Sequence, residues 1–227
     1  MFLSWHSPDA LAAAMPASIL SFTLISSFMG TAGYSNTFIA QYMGAKRPWR
    51  VGPSMWQGLY IALFGGMLIA ILSLAAKPIF EFIGHDPAVR KLEICYWRIL
   101  TLGSVFPLLK MRVSSFFSGR GRTYPIMWAN FASTLINIAL NYCLIFGNLG
   151  CPSMGIIGAG ISTVISEMCG FLILASLIFR PKHESLFKTL SGFPINRELL
   201  LRLLRYGAPN GIQFFLDIAA FSAFILI

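Results

Sequence analysis

Asn130, Thr134, Asn137 and Asn141 recur at spacings of four, three and four inside an apolar run from Pro125 to Gly147. On a helix this pattern lines one side with amide and hydroxyl oxygens. An unpaired amide facing hydrocarbon costs several kcal/mol, so the stripe must face other helices or a wet cavity. The amides either glue helices together or line a site. Neutral oxygens of this kind, together with a carboxylate, can hold Na⁺, and the carboxylate can instead exchange a proton near neutral pH. Thr163, Ser166 and Glu167 lie in the next apolar run, and a carboxyl group inside a span is costly enough to be a functional candidate. Asn210, Gln213 and Asp217 share a face in the last run, while Ser27, Gly30, Tyr34, Thr37 and Gln41 share one in the first. Small residues in that first set point to close helix contact, and Gln41 stands apart because it meets a basic loop. His85-Asp86 invites an acid–base reading, but no nucleophile or second carboxylate is placed to join it, and Asp-Pro is a common turn former.

These side chains need apolar helices to carry them, and the composition supplies little else. Hydrophobic residues make up 56% of the 227 and charged residues 11%, with mean hydropathy +0.72. Ordinary soluble domains carry about 25% charged residues. The expected fold class is all-α, a polytopic membrane protein with about six transmembrane helices. The apolar stretches run over 10–43, 53–76, 95–117, 125–147, 155–179 and 206–227. They leave no room for a soluble catalytic domain, so an enzyme is not expected. Lys77-Pro78 closes the second stretch, and 81–90 reads as a mixed-charge loop. Pro16, Pro107 and Pro209 are candidate bends. Cys95, Cys143, Cys151 and Cys169 show no CxxC spacing, which argues against a zinc site or a disulfide framework.

The net charge of +9 sits in loops between spans, so it predicts membrane lipid and no nucleic acid as partner. Loops 44–52, 118–124 and 180–205 hold three, two and six Lys/Arg, while Lys77, Arg90, Lys91 and Arg98 fall on the other side. The richer side is placed in the cytoplasm. Lys110 and Arg112 are expected to snorkel to that same interface. Residues 196–205 carry leucines on one side and arginines on the other, as a helix lying at the interface would.

The chain resembles the multidrug and toxic compound extrusion (MATE) family of secondary transporters. The resemblance rests on Ile39-Ala-Gln-Tyr-Met-Gly-Ala45, Tyr96-Trp-Arg-Ile-Leu100, Gly119-Arg-Gly-Arg-Thr123, Asn137 with Asn141, Gly155-Ile-Ile-Gly-Ala159 with Ser162-Thr-Val-Ile-Ser166, and Gly207-Ala-Pro209 with Phe214 to Asp217, in that order. It implies two six-helix lobes, roughly twice this length, of which this chain supplies helices two to six and most of helix seven. Residues 1–180 would be the first lobe without its first helix, 181–205 a cytoplasmic connector, and 206–227 the start of the second lobe. The implied function is cation-coupled export of cationic or amphipathic drug-like molecules across the cell membrane. Na⁺ or H⁺ would be the coupling ion, with no other cofactor, and the missing second lobe the partner. Asn137, Asn141 and Thr163 match positions that assist a first-lobe cation site, whose carboxylate would precede Met1. Asp217 matches a helix-seven position implicated in a second site. Tyr34, Gln41, Asn130, Glu167 and Gln213 are the candidate substrate-cavity residues, with no role carried over for Glu167. A flippase for lipid-linked precursors or polysaccharide is the alternative, favoured if several cations such as Arg98, Lys110 and Arg112 line the cavity. An inert gene fragment is another.

Overall fold

The computed structural model describes residues 3, 5 and 7–226, with side chains up to residue 223. Helix α1 (Pro8–Gly44) starts where Ser7 Oγ accepts the Ala10 amide at 3.4 Å. Its 37 residues extend about 55 Å at 1.5 Å per residue, well beyond a bilayer core of about 30 Å. Helices α2 (Val51–Leu72) and α3 (Ala76–Ile83), joined by a 3₁₀ turn, make the second crossing. This crossing passes through Lys77-Pro78 instead of ending there. Pro78 falls in the first turn of α3, where its missing N–H leaves no helical bond unmade. The stop comes at Gly84, whose φ of 82° only glycine adopts readily.

Helix α4 (Pro87–Leu102) begins ahead of Cys95 because Asp86 caps it, accepting the Ala88 amide at 2.8 Å. It continues into α5 (Val105–Ser118) after a break at Gly103-Ser104. Pro107 causes the break: it has no N–H for the Gly103 carbonyl, which takes the Phe106 amide at 3.1 Å instead. Helices α6 (Tyr124–Phe146) and α7 (Ile156–Ile178) pack against each other. Helix α8 (Pro181–Phe187) is a single short piece of the connector.

Among the described residues, five helical crossings are long and apolar enough to span a membrane, and α9 (Arg197–Leu226) carries the sixth apolar stretch. The expected interfacial helix and this stretch form one unbroken helix of 30 residues. Helix α9 packs chiefly along α1. There a Cβ on Gly30 would lie 2.7 Å from Gly211 Cα, and one on Gly207 2.4 Å from the Thr31 carbonyl. Small residues set this close approach, as the spacing on α1 suggested. Two apolar cores hold the bundle at its opposite ends. Ala13, Ala17, Phe80 and Trp97 form one, and Ile39, Met55, Phe116 and Leu174 the other, all fully or almost fully buried.

Candidate functional site

Helices α1, α4, α5, α6 and α7 surround a cavity of about 540 Å³. Phe22, Ile25 and Met29 of α1 and Leu100 of α4 give it an apolar wall. Asn130 of α6, Thr163 and Glu167 of α7, and Lys110 of α5 give it a polar one. Within that wall the Lys110 ammonium lies 3.2 Å from Glu167 Oε2 and donates to Oε1 at 3.4 Å. The cavity therefore holds a paired cation and anion beside aliphatic and aromatic surface. It suits an amphipathic molecule better than a fully solvated ion.

Beside the cavity, α6 and α7 are tied by a chain of neutral polar groups. Asn141 Nδ2 donates to Asn137 Oδ1 at 2.9 Å, and Asn137 Nδ2 donates to Ser166 Oγ at 3.3 Å. Ser166 donates in turn to the Thr163 carbonyl at 2.8 Å, and the Ser133 hydroxyl donates to the Ser166 carbonyl. Thr163 Oγ1 bonds back to the Ala159 carbonyl at 2.9 Å. Asn141 Oδ1 is buried and accepts no hydrogen bond among the described residues. A buried carbonyl oxygen without a donor is uncommon, because the loss of its water is uncompensated. The chain of bonds runs along α6 and α7 and ends on that open acceptor.

The structure thus links Asn137 and Asn141 through Ser166 to the main-chain carbonyl of Thr163, and sets Thr163, Asn130 and Glu167 in the cavity wall. The other candidates lie elsewhere. Tyr34 stacks on Tyr206 of α9, with centroids 6.1 Å apart, and does not line the cavity. Gln41 is exposed near the end of α1, and Gln213 and Asp217 are exposed on α9. Asp217 has no hydrogen bond or ion pair among the described residues, and its helix packs on α1 and α2, away from α6 and α7.

Neither Lys110 nor Arg112 snorkels to the interface. Helix α5 lies between α2 and α7, so side chains on its inner faces have no open path to the surface. Lys110 turns to Glu167, and Arg112, 1% exposed, donates to Ser35 Oγ at 2.9 Å. Lys110 was expected at the interface, and in the cavity only under the flippase alternative; the structure places it in the cavity wall. The available signal was one ammonium and one carboxyl group in two apolar runs, each expensive alone and affordable together. Of the three cations that would suit an anionic lipid-linked cargo, only Lys110 reaches the cavity, and Glu167 neutralises it.

A family model described as MatE matches residues 1–143. The probable multidrug resistance protein YoeA of Bacillus subtilis is 33% identical over 215 residues, covering 93% of this chain and 46% of that protein. The multidrug resistance protein NorM of Vibrio cholerae is 29% identical over 192 residues, covering 83% and 42%. A MOP superfamily transporter from Pyrococcus furiosus superposes with a TM-score of 0.84 at 26% identity, over 97% of this chain and 48% of that one. An outward-facing multidrug resistance MATE family transporter gives 0.85 at 25% identity, over 97% and 48%. The chain spans about half the length of the relatives it matches. The matched sequence and the helical bundle agree: the chain belongs to the MatE family and is a multi-pass protein of the cell membrane.

Proposed function

We propose that the protein supplies the first lobe of a cation-coupled antiporter that exports cationic or amphipathic drug-like molecules, with Na⁺ or H⁺ as coupling ion. The observation that carries this reading is the buried, unpartnered Oδ1 of Asn141 at the end of the polar chain on α6 and α7. An acceptor in that position is ready for a Na⁺ ion, or for the proton of a carboxyl group brought by another helix. The neighbouring cavity, part apolar and part charged, would receive the substrate. Coupling follows if ion and substrate favour different arrangements of the same helices, and the Pro107 break in the third crossing is a ready hinge between them. Gln213 and Asp217, exposed on α9, are assigned to a second lobe, where Asp217 would join a separate cation site.

The test is Asn141→Leu in the complete protein, expressed in a drug-sensitive host. Insertion should be unchanged while export falls by at least about ten-fold, the loss expected when one well-placed ligand of a coupling site is removed. Drug resistance equal to that of the parent would sink the proposal.

A further inference from the structure

At the end of the bundle where α5 and α7 finish, a second, smaller cavity of about 150 Å³ opens between the loop 119–123 and the start of α8. Arg120, Arg122, Arg180 and His183 converge on it, over a floor of Phe117, Pro125 and Leu177. None of the three arginines is paired with a carboxylate among the described residues. Arg120 donates through Nε to the Phe116 carbonyl at 2.7 Å and lies over the Phe116 ring at 3.8 Å, but its Nη2 is buried with no acceptor. Glu184, on α8, does not answer this charge. Its carboxylate is held by the Leu190 and Ser191 amides and the Thr189 hydroxyl of the connector. The Ser191 hydroxyl first, then the Leu190 amide, keep its pKa below the usual carboxylate range.

The cluster is frustrated as it stands. Arg120 and Arg122 sit just ahead of α6, whose first amides have no side-chain cap and whose first turn holds no acidic residue. The N-terminal end of a helix carries positive partial charge, so cations are disfavoured there and anions favoured. Burial, together with the Arg122 charge, brings the Arg120 pKa down to about 10, which leaves the guanidinium protonated at neutral pH. Arg180 follows the last turn of α7, where a cation is favoured, but that accounts for only one of the three.

We propose that this cavity binds a phosphate group, held by Arg120, Arg122 and Arg180, and that an anionic phospholipid headgroup supplies it. Arginine forks match phosphate oxygens in pairs, and basic pockets at the cytoplasmic end of spans are the usual place for such headgroups.

The test uses the purified chain in a neutral detergent, titrated with dioleoylphosphatidylglycerol, dioleoylphosphatidylcholine or inorganic phosphate, with bound lipid read by native mass spectrometry. Phosphatidylglycerol should be retained in preference to phosphatidylcholine. Arg122→Gln with Arg180→Gln, both at exposed positions, should weaken it about ten-fold, whereas Arg202→Gln, an exposed cation of α9, should change it less than about two-fold. Arg122→Lys with Arg180→Lys, which keeps the charge but loses the paired donors, should bind less tightly than the parent and more tightly than the Gln pair, so that a folding defect is distinguished from a lost site. Displacement of the lipid by millimolar inorganic phosphate would support the site and assign it to a bare phosphate. Retention of the lipid against phosphate would support it and assign it to the headgroup. Equal retention of the two lipids without competition by phosphate would overturn the proposal, as would equal losses in the Gln pair and Arg202→Gln.

Discussion

Lys110 and Glu167 each tolerate the bundle interior because the other is there. Glu167→Gln leaves the ammonium facing an amide in a cavity wall, and we expect it to cost about 1–3 kcal/mol, the range for a buried group losing its partner. Lys110→Met combined with Glu167→Gln should recover most of that loss, because neither charge then needs solvation. Thermal unfolding of the parent, both single variants and the double variant in detergent checks this; a double variant as unstable as the sum of the singles would contradict it. His183 gives a pH-dependent counterpart outside the spans. Desolvation, then the Arg120 and Arg122 charges, hold its imidazole below the ordinary 6.5, against bonds to the Leu177 and Ile178 carbonyls. The unfolded chain therefore binds a proton more readily than the folded one. Stability through this group rises with pH up to about 6.5 and is level above it. His183→Asn should flatten that rise in melting curves taken across the acidic range.

Among the elements, α9 depends most on its seat. Besides the glycine contacts, Asn210 Nδ2 donates to the Gly30 carbonyl at 2.9 Å, and the Thr23 and Ser222 hydroxyls meet at 2.8 Å. With the four native cysteines replaced, Thr23→Cys and Ser222→Cys should cross-link readily under mild oxidation. Adding Gly211→Leu should abolish the cross-link, since a Cβ there meets Thr31 Oγ1 at 2.1 Å and the Ser27 carbonyl at 2.5 Å. Both are on a helix with no room to retreat. Undiminished cross-linking would mean that α9 is held by something other than this groove.

For the whole molecule, the three basic segments meet at one end. Gly119 abuts Ile39 near the end of α1, Gly52 abuts Phe187 and Lys188, and Arg120 lies over the Phe187 ring at 4.5 Å. The loop around Asp86 lies at the other end, where Phe80 and Trp97 pack on the start of α1. The positive-inside rule puts the first end in the cytoplasm. In a chain without its native cysteines, Arg122→Cys should react with a membrane-impermeant maleimide only after the cells are opened, and Asp86→Cys in intact cells. The reverse pattern would invert the orientation.

Composition and the spacing of polar residues were enough to establish an all-helical membrane bundle, the sides on which its loops fall, and a polar face on α6, of which Asn137 and Asn141 hydrogen-bond within the bundle while Asn130 and Thr134 are exposed. Each of these follows from local rules: hydrocarbon excludes unpaired backbone and amide groups, and period 3.6 sorts residues onto faces. Asn137 and Asn141 stood out on α6 for that reason, whereas the cation-site role of Asn137, Asn141 and Thr163 came from the family resemblance and remains a proposal. The tertiary structure alone decided which faces meet. Tyr34 stands at a spacing suited to a cavity but is taken by Tyr206, because Gly30, Gly207 and Gly211 draw α9 onto that side of α1. Lys110 looked able to reach the headgroups, yet α5 is enclosed by its neighbours and its ammonium ends on Glu167, a residue 57 positions along the chain. The cluster of Arg120, Arg122 and Arg180 likewise draws on two segments that nothing local connects. Pairings between distant segments depend on how helix surfaces fit together, and neither hydropathy nor periodicity within a run contains that information.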